Sequence, residues 1–266
     1  MNRLTSSVII STYNRPSYLE RVVSGYLGQT LPPDEIIIAD DGSTESTAAV
    51  ISNFQKAART PVRHVWHEDL GFRLAAIRNR AIAASSGDYL IFADDDAVPS
   101  AQFVEDHLRY AEKGFFIQGH RVMLGSAISS TFVMNEGYFM NVALLSVAGK
   151  AGNALNALRP PFPVIRRSQS LKAIRGCNMS FFRSDLIEVN GFNEDFTGWG
   201  KEDSELVVRL YRKGIWRKDL KFRACCFHLH HDNYDRGNLE RNINLLEAAQ
   251  KDNTIYCRNG VDKYLI

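Results

Sequence analysis

Residues 87–99 read GDYLIFADDDAVP: the apolar run Tyr89–Ala93 halts at three consecutive carboxylates, Asp94, Asp95 and Asp96. A run apolar on both faces suits a strand buried inside a parallel sheet. The acids then stand at its carboxyl end. Ligands of open α/β sheets bind outside the carboxyl ends of the strands. The same grammar repeats upstream. SVIIST (7–12) is a β-branched run followed by the turn Asn14-Arg15-Pro16 and the amphipathic stretch Tyr18–Leu27. EIIIA (35–39) lies between Pro32-Pro33 and Asp40-Asp41-Gly42-Ser43, with Ser43 or Thr44 placed to cap a following helix. Val62–Trp66 leads through the loop HEDLGF to a helix over Ala75–Ala84. Strands alternating with helices predict βαβ units, right-handed crossovers and an α/β fold on a mainly parallel sheet. Its strand ends carry Thr12, Asp40, Asp41 and the acidic triplet.

Downstream the pattern loosens. Residues 125–172 hold Gly, Ser, Asn, Pro160-Pro161-Phe162 and a basic cluster of Arg159, Arg166, Arg167, Lys172 and Arg175. They read as a long, partly mobile insertion, either functional or a solvated linker. Helical spacing returns at Leu206, Val207 and Leu210 within 202–213, with Gly214 as the stop. Arg223–Leu229 reads as a last strand, and 238–250 as an amphipathic helix. His107 falls on a helix and His120 at the end of a strand.

The chain has 266 residues, 45% hydrophobic and 23% charged, which is ordinary globular usage. At about 150 residues per domain it is one large domain or two small ones. Its 32 Lys and Arg against 30 Asp and Glu supply no basic field for non-specific nucleic-acid binding, and no nucleic-acid partner is expected. Cys177, Cys225, Cys226 and Cys257 lack metal-ligand spacing and read as reduced core thiols of a cytoplasmic protein. MNRLTSSVII holds no signal-peptide apolar region, and no stretch approaches the ~18 apolar residues of a membrane span. Contact with a membrane is therefore expected to be peripheral at most.

Alternate side chains of an extended segment share a face, so Asp94 and Asp96 are expected together with Asp95 opposed. Like charges that close call for a cation, and Mg²⁺ or Mn²⁺ is commonly held by one or two carboxylates plus substrate phosphates. A metal–diphosphate site and a solvated turn before Pro99 are the two readings of the triplet alone. Gly198-Trp199-Gly200 allows unusual backbone around a flat ring able to stack on a sugar. Glu202 and Asp203 follow at a helix start, where the dipole stabilises anions. One reading makes them a base and its neighbour, the other two capping acids beside a core Trp. His228-Leu229-His230-His231-Asp232 follows a strand, and an imidazole there is placed to complete a metal shell begun by Asp96. A rival HxHxDH metallohydrolase pattern needs His where the chain has Asn233.

Five ordered segments, VIISTYNRP, EIIIADDGS, GFRLAAIRNRAI, GDYLIFADDDAVP and GCNMSFFRSDLIEVNGFNEDFTGWGKEDSEL, together resemble the GT-A-fold, Rossmann-like glycosyltransferases of family 2 over about residues 6–232. Within that family the likeness is to bacterial chondroitin-polymerase-type domains and, through GWGKED, to β-1,4-galactosyltransferases. The resemblance implies a single domain, with a nucleotide-sugar half over 1–120, an acceptor and catalytic half over 121–237, and a C-terminal helix and tail over 238–266. It gives Thr12, Tyr13 and Arg15 to nucleotide binding, Asp40 or Asp41 to the uracil edge, and Arg78 to the donor. Asp94, with Asp95 beside it, lies near ribose and metal. Asp96 and His228 bind the metal, His230 and His231 being alternatives to His228. Trp199 and Glu202 contact the acceptor, and Asp203 is the catalytic base. Lys201 departs from the small residue of the galactosyltransferases.

The activity implied is inverting, metal-dependent transfer of a hexose or N-acetylhexosamine from a UDP-sugar to a glycan or glycolipid acceptor, in bacterial surface polysaccharide or lipopolysaccharide synthesis. The basic cluster suggests an anionic acceptor or anionic membrane lipid. A catalytically silent carbohydrate- or nucleotide-binding module is the alternative. A nucleotidyltransferase would favour a Gly-rich phosphate loop, which STYNRPSYL lacks.

Overall fold

A computed structural model describes residues 3–130, 132, 151–231 and 235–265. β1 (Ser6–Thr12) leads through α1 (Pro16–Leu27) to β2 (Glu35–Asp40), then through α2 (Glu45–Ala57) to β3 (Val62–Trp66), and through α3 (Leu74–Ala84) to β4 (Tyr89–Asp94). β5 (Ala97–Pro99), α4 (Phe103–Arg109), β6 (Phe115–Gln118), β7 (His120–Leu124), β8 (Ala151–Gly152) and β9 (Val164–Ser168) follow. The rest is β10 (Asn178–Phe182), α5 (Arg183–Glu188), α6 (Glu202–Arg212), β11 (Trp216–Lys221), β12 (Cys225–His228) and α7 (Leu239–Lys251).

The large sheet has the order β3-β2-β1-β4-β10-β6-β11-β9. Its first four strands are mutually parallel, and β10 enters antiparallel beside β4. Alternation along these strands builds two cores. Val8, Ile10, Ile36, Ile38 and Ile91 pack on one face with Leu19, Val22 and Tyr26 of α1. Ile9, Ile37, Leu90 and Phe92 pack on the other with Ile77 and Ile82 of α3 and Leu206 and Leu210 of α6. Each such fully buried side chain contributes about 1.5–3 kcal/mol, which is why these strands carry no polar face.

Register aligns the polar ends. Ser11 stands beside Asp94, and Thr12 beside Asp40. Asn178 pairs with Ala93, which brings Gly176 and Cys177 to the triplet. A second, four-stranded sheet, β5-β12-β7-β8, was not foreseen. In it His228 pairs with Ala97, so the last strand delivers its histidine next to Asp96.

Several expectations are corrected. Thr44 occupies the N-cap of α2 without capping it. Its amide and hydroxyl both donate to Asn14 Oδ1, at 2.9 and 3.0 Å, tying the first loop to the second. The expected strand 223–229 is shortened to β12, because Phe222 and Ala224 adopt positive φ and turn the chain out of β11. β11 itself, WRKDLK, escaped notice because its polar residues hide the pattern. His120 opens β7 instead of closing a strand. Of the insertion expected over 125–172, residues 131 and 133–150 lie outside the described residues. The remainder is no linker, since β8 and β9 extend the two sheets. Its basic cluster does not share one face. Arg159 donates to both oxygens of the buried Asp106 at 2.7 and 2.8 Å, Arg167 pairs with Glu112 at 3.1 Å, and among the five only Arg175 lines the main cleft. All four cysteines are buried and unpaired. Among the described residues no helix is long and apolar enough to cross a membrane.

Candidate active site

A cleft of about 800 Å³ opens at the carboxyl ends of β1 and β4, and α6, β12 and the turn before β10 close its sides. It brings together Thr12, Tyr13, Arg15, Asp41, Arg78, Asp94, Asp95, Asp96, Trp199, Glu202, Asp203 and His228. Asp40 is the exception among the expected residues. It is fully buried, accepts from the Ser43 amide at 2.8 Å and meets His64 Nε2 at 2.9 Å, so its carboxylate shapes the loop and does not reach the cleft. Asp41 is the one that faces it, held by His67 Nε2 at 2.6 Å and the Arg73 amide at 2.9 Å.

The triplet does not alternate as an extended strand would. β4 ends at Asp94, and Asp95 and Asp96 form a turn. Asp94 accepts from Arg78 Nη2 at 2.9 Å. Asp95 accepts from the Thr12 hydroxyl at 2.7 Å. Arg15 Nη1 lies 3.8 Å from Asp95 and 3.3 Å from Asp96, so these two share one cation while Asp94 is held by Arg78. Burial, followed by the neighbouring Asp94 and Asp95, pushes Asp96 well above the ordinary carboxylate range. Burial carries Asp95 to about 7 against the pull of Thr12 and Arg15.

Asp96 Oδ1 is 3.3 Å from His228 Nε2, and Asp96 Oδ2 is 3.2 Å from His231 Nε2. One ligand atom from each of the three residues lies within 4.8 Å of the others. His228 Nδ1 meets the Leu229 carbonyl at 3.0 Å, which assigns its proton there and leaves Nε2 with a bare lone pair aimed at Asp96. Burial, Arg121 and His231 hold this imidazole neutral, down to about 3. Asp96 Oδ1, buried, has no hydrogen-bond donor among the described residues. Once Asp96 gives up its proton, acceptors facing one another at these distances fit a hard divalent cation such as Mn²⁺ or Mg²⁺ held by Asp96, His228 and His231. His231 joins the set that was left open. His230 is exposed and is not among the three residues whose ligand atoms cluster, while its backbone amide donates to Ser129 Oγ and its carbonyl accepts from the Tyr18 hydroxyl. Asp232 and Asn233 lie outside the described residues.

Across the cleft, Gly198, Gly200 and Lys201 all take positive φ, at 73°, 101° and 80°. That path is easy for the two glycines and strained for the lysine. It swings Trp199 into the cleft and starts α6 at Glu202. One face of the Trp199 indole is engaged by Arg236, at 5.2 Å. Glu202 accepts from Arg78 Nη1 at 3.2 Å, and Arg78 Nε donates to Ser11 Oγ at 3.2 Å. Arg78 is thus no free donor ligand. It is a fully buried clamp tying β1, β4 and α6 together. Burial and the nearby Asp203 raise Glu202 to about 7 despite Arg78. Asp203 stays partly exposed, oriented by the Gly176 amide on Oδ2 at 3.1 Å and the Ser204 amide on Oδ1 at 2.6 Å. An acceptor-only group fixed at the cleft edge is equipped to take a proton from an incoming hydroxyl. Arg121 and His67 were missed, and Arg175 was named only as one of a basic cluster. Only the strand that brings them in reveals them, although His64 and His67 flank Trp66 one strand away from Asp40 and Asp41.

The model of the "Glycosyl transferase family 2" family matches residues 7–143, and that of the "N-terminal domain of galactosyltransferase" matches 162–232. Among relatives, validoxylamine A glucosyltransferase of Streptomyces hygroscopicus subsp. limoneus is 32% identical over 224 residues, covering 79% of this chain and 48% of that one. Chondroitin synthase of Escherichia coli is 24% identical over 230 residues, covering 81% and 33%. The chain thus spans half or less of the length of these relatives. Among solved structures, S. aureus TarS 1-349 superposes with a TM-score of 0.63 at 14% identity, over 92% of this chain and 65% of that one. The same protein in complex with UDP scores 0.62.

Proposed function

The chain belongs to glycosyltransferase family 2, and on that premise we propose that it transfers a hexose or N-acetylhexosamine from a UDP-sugar to a glycan or glycolipid acceptor in polysaccharide synthesis, with inversion at the anomeric carbon and a divalent cation. The observation that carries the reading is the meeting, in one cleft, of the Asp96, His228 and His231 cluster with an ordered carboxylate at Asp203. The names of the relatives, a glucosyltransferase and a polysaccharide synthase, support sugar transfer, and the UDP complex of TarS supports a uridine nucleotide.

Asp96, His228 and His231 would hold the cation, which when bound supplies positive charge for a departing diphosphate. Thr12, Tyr13 and Asp41 line the nucleotide end, and Arg15 adds a fixed charge beside the triplet. Asp203 accepts the proton of the acceptor hydroxyl as that oxygen attacks the anomeric carbon from the face opposite the diphosphate. A single displacement needs no covalent enzyme intermediate. Its transition state is oxocarbenium-like by analogy with glycoside hydrolysis. Glu202 and Arg78 keep Asp94 and the start of α6 in place, and Trp199 borders the acceptor. On this reading residues 1–120 bind the donor and 121–237 the acceptor.

A panel of nucleotide sugars, assayed for nucleoside diphosphate release with and without Mn²⁺ on wild type and Asp96→Ala, tests the proposal. Metal-dependent release from one UDP-sugar, lost in the variant, is expected. Absence of both release and nucleotide binding would favour a silent binding module instead.

A further inference from the structure

Three of the deeper guanidinium groups of this chain are matched to acids, and a fourth, Arg223, is saturated by the Phe222, Pro160 and Pro161 carbonyls. Arg78, Arg209 and Arg217 face carboxylates at 2.9, 2.7 and 2.6 Å. Two half-buried arginines in the cleft are not. Arg121 on β7 and Arg175 in the turn before β10 both line it, and among the described residues neither has a carboxylate oxygen within 4.0 Å. Arg121 Nη1 donates to the Cys177 sulfur, a weak acceptor whose basicity Cys226 and Arg121 lower, at 3.7 Å. The acid whose charge it senses, Asp96, is committed to the histidine cluster. Arg175 is fixed by its backbone, its amide donating to Gln118 Oε1 at 3.1 Å and its carbonyl accepting from Gln118 Nε2 at 3.3 Å. Burial and the charge of Arg121 push its basicity down. Drawing two cations together out of water is unfavourable unless an anion joins them.

The position says which anion. Arg175 immediately precedes Gly176, whose amide orients Asp203, and Arg121 lies between this turn and the Asp96 cluster, so the pair reaches from the cluster towards the base's side of the cleft. The diphosphate side has Arg15 and the Asp96 cluster. We propose that Arg121 and Arg175 form an oxyanion-reading pair for the acceptor, so that the accepting sugar carries a carboxylate or a phosphate close to the hydroxyl that reacts. Two planar guanidinium forks suit either oxyanion. The inference rests on the transferase reading above, because that reading defines the acceptor side.

The test uses the full chain, saturated with UDP and Mn²⁺, titrated calorimetrically with glucuronate, glucose 6-phosphate and uncharged glucose. Both anions, or one of them, should bind more tightly than glucose, and their order separates carboxylate from phosphate. Arg121→Gln and Arg175→Gln should each weaken the anion by about tenfold or more, the worth of a charge-assisted hydrogen bond. Arg175→Lys should retain part of the affinity, and the UDP affinity of all three should stay close to wild type. The proposal is overturned if the anions bind no better than glucose, if the Gln variants keep full anion affinity, or if they lose UDP in parallel, which would assign the pair to the donor. Failure of the wild type to bind UDP would sink the parent reading alone, and the same titrations without UDP would still decide the pair.

Discussion

Replacing Arg78 by Met keeps most of the side-chain volume and removes the one cation that Asp94 and Glu202 share. Arg78 is 1% exposed, and two of its three side-chain hydrogen bonds run to carboxylates, at 2.9 and 3.2 Å. Breaking a buried ion pair costs about 3–5 kcal/mol, consistent with two charge-assisted bonds of about 1.5–3 kcal/mol each. For a chain of this size that is a fall in Tm of about 10 °C. The pH dependence carries a sign. Glu202 titrates in the folded protein at about 7, above its ordinary 4.5, so its contribution to stability is complete below 4.5 and is lost as pH rises through about 7. Arg78 lowers that value, so removing it raises Glu202 further, and the penalty of Arg78→Met should grow between pH 6 and 9. Thermal unfolding of wild type, Arg78→Met, Glu202→Gln and the double variant across that range measures both effects. The double variant should lose about 1–3 kcal/mol less than the sum of the singles, since neighbours in one network couple. A Tm unchanged within 2 °C, or a loss independent of pH, would refute the clamp.

Asp203→Asn, isosteric but unable to accept a proton, should lower kcat by about 10²–10⁴-fold while UDP binding measured by calorimetry is retained; a variant with wild-type turnover would remove Asp203 from the base role. His107, fully buried between Ser180 Oγ at 2.7 Å and Asn178 Oδ1 at 3.1 Å, is pushed by burial down to about 4 from 6.5. Its unfolded form takes up a proton first as pH falls, so about 3 kcal/mol of stability present above 6.5 should disappear between 6.5 and 4. Urea unfolding of His107→Gln should show a shallower loss over that window than wild type, and parallel curves would contradict the assignment.

The first four strands were legible because their signal is local. Ile36, Ile37 and Ile38 point to both faces of the sheet, and only a strand buried on both sides explains three in a row. β9 and β11 were not, because Arg167 and Lys218 are matched to the distant Glu112 and Arg217 to Asp219 of its own strand, and the alternation of these strands carries no apolar contrast. The site divides in the same way. The triplet and GWGKED announce themselves as short motifs, yet which acid meets which cation depends on register. His228 reaches Asp96 because β12 lies beside β5, a pairing between segments far apart in the chain. Asp40 and Asp41 look alike in sequence, and only the turn at the end of β2 sends one to His64 and the other to the cleft. One such pairing did leave a trace. Arg78 lies among Ala75, Ile77, Ala81 and Ile82 on a helix with no solvated stripe along that side. An arginine in such a position calls for acceptors to meet it, and the strand ends and helix start offered Asp40, Asp41, Asp94, Asp95, Asp96, Glu202 and Asp203. That Arg78 is clamped was therefore inferable from its place inside an apolar surface, and that Asp94 and Glu202 are the partners came only from the register.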